Sequence, residues 1–113
     1  MAVSNHASRE FFKLSLPLAS YVDNLTLAAS TAETVTVPAG AQAVNIRSDV
    51  DLWVRTGGTA TVPSGDTTDG TGMALNPGFR LVYPTQTFSI IAGATCHVSL
   101  EWYLRPAGAH PDA

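Results

Sequence analysis

Apolar and polar residues alternate at period two through much of this chain. The longest stretch is Cys96-His97-Val98-Ser99-Leu100-Glu101-Trp102-Tyr103-Leu104. In an extended strand Cys96, Val98, Leu100, Trp102 and Leu104 share one face, and His97, Ser99, Glu101 and Tyr103 share the other. A strand of this length spans roughly 30 Å, long for a small domain, which predicts a central position in a sheet.

Shorter segments follow the same rule. Thr34-Val35-Thr36-Val37 reads as a strand ending at the turn Pro38-Ala39-Gly40. Ala43 to Arg47 points Val44 and Ile46 inward and Asn45 and Arg47 outward. Leu52-Trp53-Val54-Arg55 points Leu52 and Val54 inward and Trp53 outward. With Ser48-Asp49-Val50 as a short connection, these two strands are expected to pair as a hairpin. Phe79 to Tyr83 and Thr87 to Ile91, separated by Pro84-Thr85-Gln86, predict a second hairpin. Asn24-Leu25-Thr26-Leu27 is a weaker strand signal. Helical periodicity is poor, and sixteen of the 113 residues are glycine or proline. Seven to eight short strands with regular turns predict an all-β fold, an antiparallel β-sandwich of jelly-roll-like or immunoglobulin-like type.

Two regions exceed a minimal sandwich. Residues 57–78 form a glycine-rich loop with Pro63 and Pro77, longer than compact domains usually carry, with a short strand expected at Ala60-Thr61-Val62. Residues 1–22 read as an extended N-terminal arm in which Leu14, Leu16 and Leu18 alternate while Phe11 and Phe12 are adjacent. Pro17 opposes a helix through its middle, although a short helix over Ala7 to Lys13, capped by Ser8 or Asn5, fits the sequence. The sandwich domain is expected over residues 23–106, followed by a flexible tail at 107–113.

Composition narrows the function classes. Hydrophobic residues make up 45% of the chain and charged residues 13%, about half the usual charged share. A net charge of −3 with six basic residues opposes a nucleic-acid-binding face. No apolar run is long enough for a membrane-spanning helix, and no secretory signal pattern opens the chain. One cysteine, Cys96, excludes an intramolecular disulfide and reads as a small buried hydrophobe.

Candidate chemistry is sparse. No Gly-x-Ser-x-Gly elbow accompanies the serines, and no His-x-His or His-x-x-x-His spacing points to a metal. His97 reads as a surface or interface histidine; His6 and His110 lie near the ends. Asp66-Thr67-Thr68-Asp69-Gly70 lacks the spacing and distal glutamate of a calcium loop. The glycine pairs at Gly57-Gly58 and Gly70-Thr71-Gly72 precede neither a lysine nor a helix, so they are not phosphate loops. The expectation is a non-enzyme with no catalytic residue, no metal and no cofactor.

Aromatic residues on outward faces say more. Trp53 and Tyr103 face outward, and Phe11 and Phe12 lie in an arm without a place in the core. Such residues mark a protein interface, a sugar-binding platform, or a face covered by a loop or second sheet. The candidate partner contacts are Phe11, Phe12, Leu14, Leu16, Trp53, Arg55 and Tyr103.

Three runs carry a family resemblance: Val37-Pro38-Ala39-Gly40-Ala41 through Asp51-Leu52-Trp53-Val54-Arg55, Ala60 through Gly78, and Phe88 through Leu100. Residues 35–104 thus resemble small structural proteins of tailed-bacteriophage virions, of the head decoration or cement type. The resemblance implies a virion protein made in the host cytoplasm and placed on the capsid surface. Its partners would be the major capsid protein or other virion proteins, and it would itself be a dimer or trimer. The arm would lie across an adjacent subunit and order on binding. Alternatives are a tail, neck or fibre-base component, and a receptor- or carbohydrate-binding module using Trp53 and Tyr103.

Overall fold

The computed structural model describes residues 17–104. They form eight strands and no helix: β1 (Tyr21–Leu27), β2 (Glu33–Thr36), β3 (Ala41–Ser48), β4 (Leu52–Arg55), β5 (Ala74–Leu75), β6 (Gly78–Leu81), β7 (Thr87–Ala92) and β8 (Cys96–Leu104). Two four-stranded sheets result, one in the order β1-β8-β3-β6 and the other β2-β7-β4-β5.

Every pairing is antiparallel, and the pairs are nested: β1 with β8, β2 with β7, β3 with β6, and β4 with β5. The chain is therefore one long ribbon folded back on itself, with residues 56–73 at its tip. Rolling that ribbon adds the β3·β8 and β4·β7 ladders and closes two sheets over one core. This is the jelly roll. An immunoglobulin sandwich keeps several consecutive strands within one sheet, whereas here only β4 and β5 stay together.

The two expected hairpins do not form. β3 and β4 lie in different sheets, as do β6 and β7. Both edges of β3 are taken by β8 and β6, so the chain after Ser48 has no place beside β3. Ser48 Oγ accepts the Val50 N–H at 3.3 Å, and Val50 packs against the core as the chain crosses between sheets. The second corner is set by Pro84, which has no N–H for a ladder, and by Thr85 at φ 66°. The Val37 N–H donates to Gln86 O at 2.8 Å, fixing that corner to the end of β2. Gly40, at φ 83°, closes the turn Pro38–Ala41 between β2 and β3, where a side chain would be strained.

Other boundaries shift as well. β1 starts at Tyr21, inside the span read as an arm, and β3 gains residues at both ends. Ala60-Thr61-Val62 is not a strand, and the two-residue β5 lies within the stretch read as loop. The expected helix over Ala7 to Lys13 and the tail at 107–113 lie outside the described residues.

β8 is central, as its length implies, and its faces divide as the alternation requires. Cys96, Val98, Leu100 and Trp102 are buried, and Leu104 packs against the core from its edge. Trp102 is the largest fully buried side chain and sits beside Phe88 of the facing sheet, ring centroids 6.3 Å apart. Its indole N–H donates to Asp23 Oδ2 at 3.0 Å, so the polar atom of the core anchor is satisfied from β1. Replacing Trp102 with alanine is expected to cost about 3–5 kcal/mol. Leu81→Ala, at an 81% exposed position, should cost under about 0.5 kcal/mol. Denaturant unfolding of both variants checks the contrast.

Candidate functional site

The outer faces of the two sheets differ. On the β2-β7-β4-β5 sheet, Ile91 and Ser89 point away from the core yet are buried. The residues after β4 return across this face. The Ala60 N–H donates to Ser89 Oγ at 2.9 Å, Ala60 itself is buried, and the Thr61 N–H lies 3.1 Å from the Met73 sulfur. Trp53, paired in register with Ile91 and Leu75, is half-buried here. Arg55 folds back against Gly58, and its guanidinium donates to Thr59 O at 3.4 Å. The long loop is thus a cover for one sheet.

The outer face of the β1-β8-β3-β6 sheet has no such cover among the described residues. Register places Tyr103, Ala43 and Leu81 across one end, with Val22, Glu101, Asn45 and Phe79 forming the next row in. Ala43 is buried, and the Tyr103 ring meets Phe79 edge-on at 5.8 Å between centroids. Val22, Phe79, Leu81 and the following Tyr83 are exposed, Leu81 by 81% and Tyr83 by 77%. The Tyr103 hydroxyl donates to Pro17 O at 2.8 Å, bringing the chain ahead of β1 onto this end of the face. Burial, then the Glu101 carboxylate, push the Tyr103 phenol above its usual range, which keeps it a donor.

A cross-strand bond from Asn45 Nδ2 to Glu101 Oε1, 2.7 Å, borders the apolar end. Beyond it the face turns polar, through Asn24, Ser99, Arg47, Thr26 and His97. Asp49 binds His97 twice: Oδ1 accepts the His97 backbone N–H at 3.0 Å, and Oδ2 lies 3.2 Å from Nδ1. These contacts hold the Asp49 carboxyl below its usual range, the backbone N–H contributing most. Both side chains are exposed, which fits a pair that organises a strand end.

A third feature is a cavity of about 480 Å³ between the sheets on the β5/β6 side. Its floor includes Val44, Ile46, Val54 and Phe88, and Arg80 stands at its rim. Among the described residues no three His, Cys, Asp or Glu side chains gather in a metal-binding arrangement. Cys96 is buried, within 3.7 Å of Ser48 Oγ.

The expected contact residues therefore separate. Tyr103 lies on the open face, while Trp53 and Arg55 lie on the outer face of the other sheet, so no single platform uses both Trp53 and Tyr103. Phe11, Phe12, Leu14 and Leu16 lie outside the described residues. Sequence reading missed Val22, Phe79 and Leu81. Alternation marks Phe79 and Leu81 as one face of β6, but only the pairing with β3 shows which side of the sheet that is.

Two expectations follow. Ser89→Ala leaves the buried Ala60 N–H unpaired and should cost about 1–3 kcal/mol, with faster proteolysis in residues 56–73 as a second readout. The Asp49 carboxyl should titrate below the ordinary range near pH 4 by carboxyl-resolved NMR. Its stabilising contribution is present above that range and is lost as pH falls through the depressed value. In His97→Ala much of the depression should persist, because the backbone N–H remains; a full return to the ordinary value would assign it to the imidazole.

No protein-family model, no curated protein and no solved structure matches this chain.

Proposed function

We propose that this is a non-enzymatic virion structural protein, a capsid decoration or cement protein that binds and stabilises the major capsid protein lattice. The observation that carries the reading is the apolar end of the β1-β8-β3-β6 sheet that no described residue covers, where Phe79, Leu81 and Tyr103 lie together and Val22 stands on the β1 edge. Such surface is what an interface core requires, and the neighbouring polar half supplies a rim. The resemblance of residues 35–104 to small virion proteins supports the same reading, and it implies a β-sandwich or jelly-roll-like body.

In this role the protein works by burying surface between shell subunits, with no chemical step. Copies arranged as a dimer or trimer on a symmetry axis would add their contacts and raise the overall affinity. The protein would be made in the host cytoplasm and reside on the capsid exterior. The carbohydrate-platform reading loses support because Trp53 and Tyr103 face away from each other across the sandwich.

Electron cryo-microscopy of the particle that carries this protein tests the proposal. The expected map shows many copies over the shell lattice with the Tyr103 face against it, and Leu81→Asp should fold normally yet leave shells bare. Density confined to the neck, tail or fibre base would replace the head assignment with a tail-side one. No copies on any particle would overturn the virion reading.

A further inference from the structure

We propose that the cavity between the sheets binds an aliphatic carboxylate of medium chain length, with its hydrocarbon tail on the apolar floor and its carboxylate on Arg80. This inference stands apart from the virion reading. The cavity lies on the β5/β6 side of the sandwich, and of the residues on the open outer face only Leu81 also borders it.

The strand pattern makes the space. Side chains of β6 alternate, so Phe79 and Leu81 face outward while Gly78 and Arg80 take the core side, opposite Ile46 and Val44 of β3. On the facing sheet, β5 sets only Ala74 opposite Val54. A glycine, an alanine and an arginine fill the gap between two sheets poorly, and Gly70 and Gly72 border it without adding side chains. The volume left is about 480 Å³, inside the range of roughly 300–1,000 Å³ typical of small-molecule sites.

The lining selects the ligand. Val44, Ile46, Val54 and Phe88 make the floor apolar and mostly aliphatic. A flexible hydrocarbon tail can follow such a surface and gains free energy by leaving water. Arg80 supplies charge at the rim. Its Nη1 donates to Phe79 O at 2.8 Å, the one hydrogen bond its guanidinium makes among the described residues. That contact leaves donors for a carboxylate, which a guanidinium holds through two parallel N–H groups. Arg55 also borders the cavity, but its guanidinium is turned back to Thr59 O. Among the described residues no aspartate or glutamate lines the space. Asp69, next to the bordering Gly70, is engaged by the Thr71 N–H and hydroxyl at 3.1 and 2.6 Å. A cation above apolar walls, with no carboxylate among them, suits an anion that carries a tail.

Methyl-resolved NMR of the full chain, titrated with sodium octanoate below its micelle concentration, tests this. Saturable shifts are expected at the methyls of Val44, Ile46 and Val54, with none at Val22. Arg80→Gln should weaken octanoate binding about tenfold, the loss of one charge-assisted pair. Octanol, with the same tail and no charge, should bind the wild type about tenfold more weakly than octanoate does. Its affinity should not change in Arg80→Gln. Ala74→Phe places bulk in the cavity from an exposed strand position and should abolish the shifts, while the variant's own spectrum reports whether the fold is kept. Absence of saturable shifts at the three floor residues in the wild type would overturn the proposal. Shifts confined to Val22 and Leu81 would overturn it too, by moving the binding to the outer face. Equal octanoate affinity in wild type and Arg80→Gln would remove the charge from recognition, and with it the proposed ligand class.

Discussion

Strand β8 is hydrogen-bonded along both edges, to β1 on one side and β3 on the other, and the larger sheet has no continuity without it. Its inward side chains run the length of the core, and Trp102 fills the largest space there. The indole N–H is satisfied by Asp23 from β1, so burying the ring strands no polar group. The two ladders and the ring reinforce one another. Withdrawing β8 would open two rows of backbone groups at once and empty the centre of the sandwich.

The rolled ribbon also decides which surface is available. Its tip, residues 56–73, folds back over the sheet that contains β4, sealing Ser89 and Ile91. The opposite sheet receives no such cover from the described residues, and apolar side chains collect at one of its ends. A protein with few charged residues has limited means of solvating such a face. The open face is therefore the apolar surface that the described residues leave to solvent.

The sequence held the strands more clearly than their partners. Alternation over Cys96 to Leu104 and over Leu52 to Arg55 fixes both bounds and faces, because period two follows from backbone geometry alone. Pairing is different. Ser48-Asp49-Val50 is short enough for a hairpin, and nothing local says that β8 and β6 already occupy both edges of β3. The same limit hid the fate of Trp53, since the residues that shield its sheet come from a loop without periodicity. Tyr103 was legible as outward-facing, but its neighbours Phe79 and Leu81 come from a strand whose placement only the three-dimensional register reveals.

Nested pairing has a consequence for how the protein is made. β1 emerges first among the described strands, yet its ladder partner among them is β8, which emerges last. β2 likewise waits for β7, and β3 for β6. Only β4 and β5 complete a pair without waiting for much more of the chain, and that pair is two residues long. A growing chain therefore displays unpaired strand edges until β8 is complete, when the larger sheet gains its middle member. The described sandwich cannot close before β8 is made, and a ribosome that stalls before residue 96 leaves β1 without its partner and only β3 and β6 paired in that sheet.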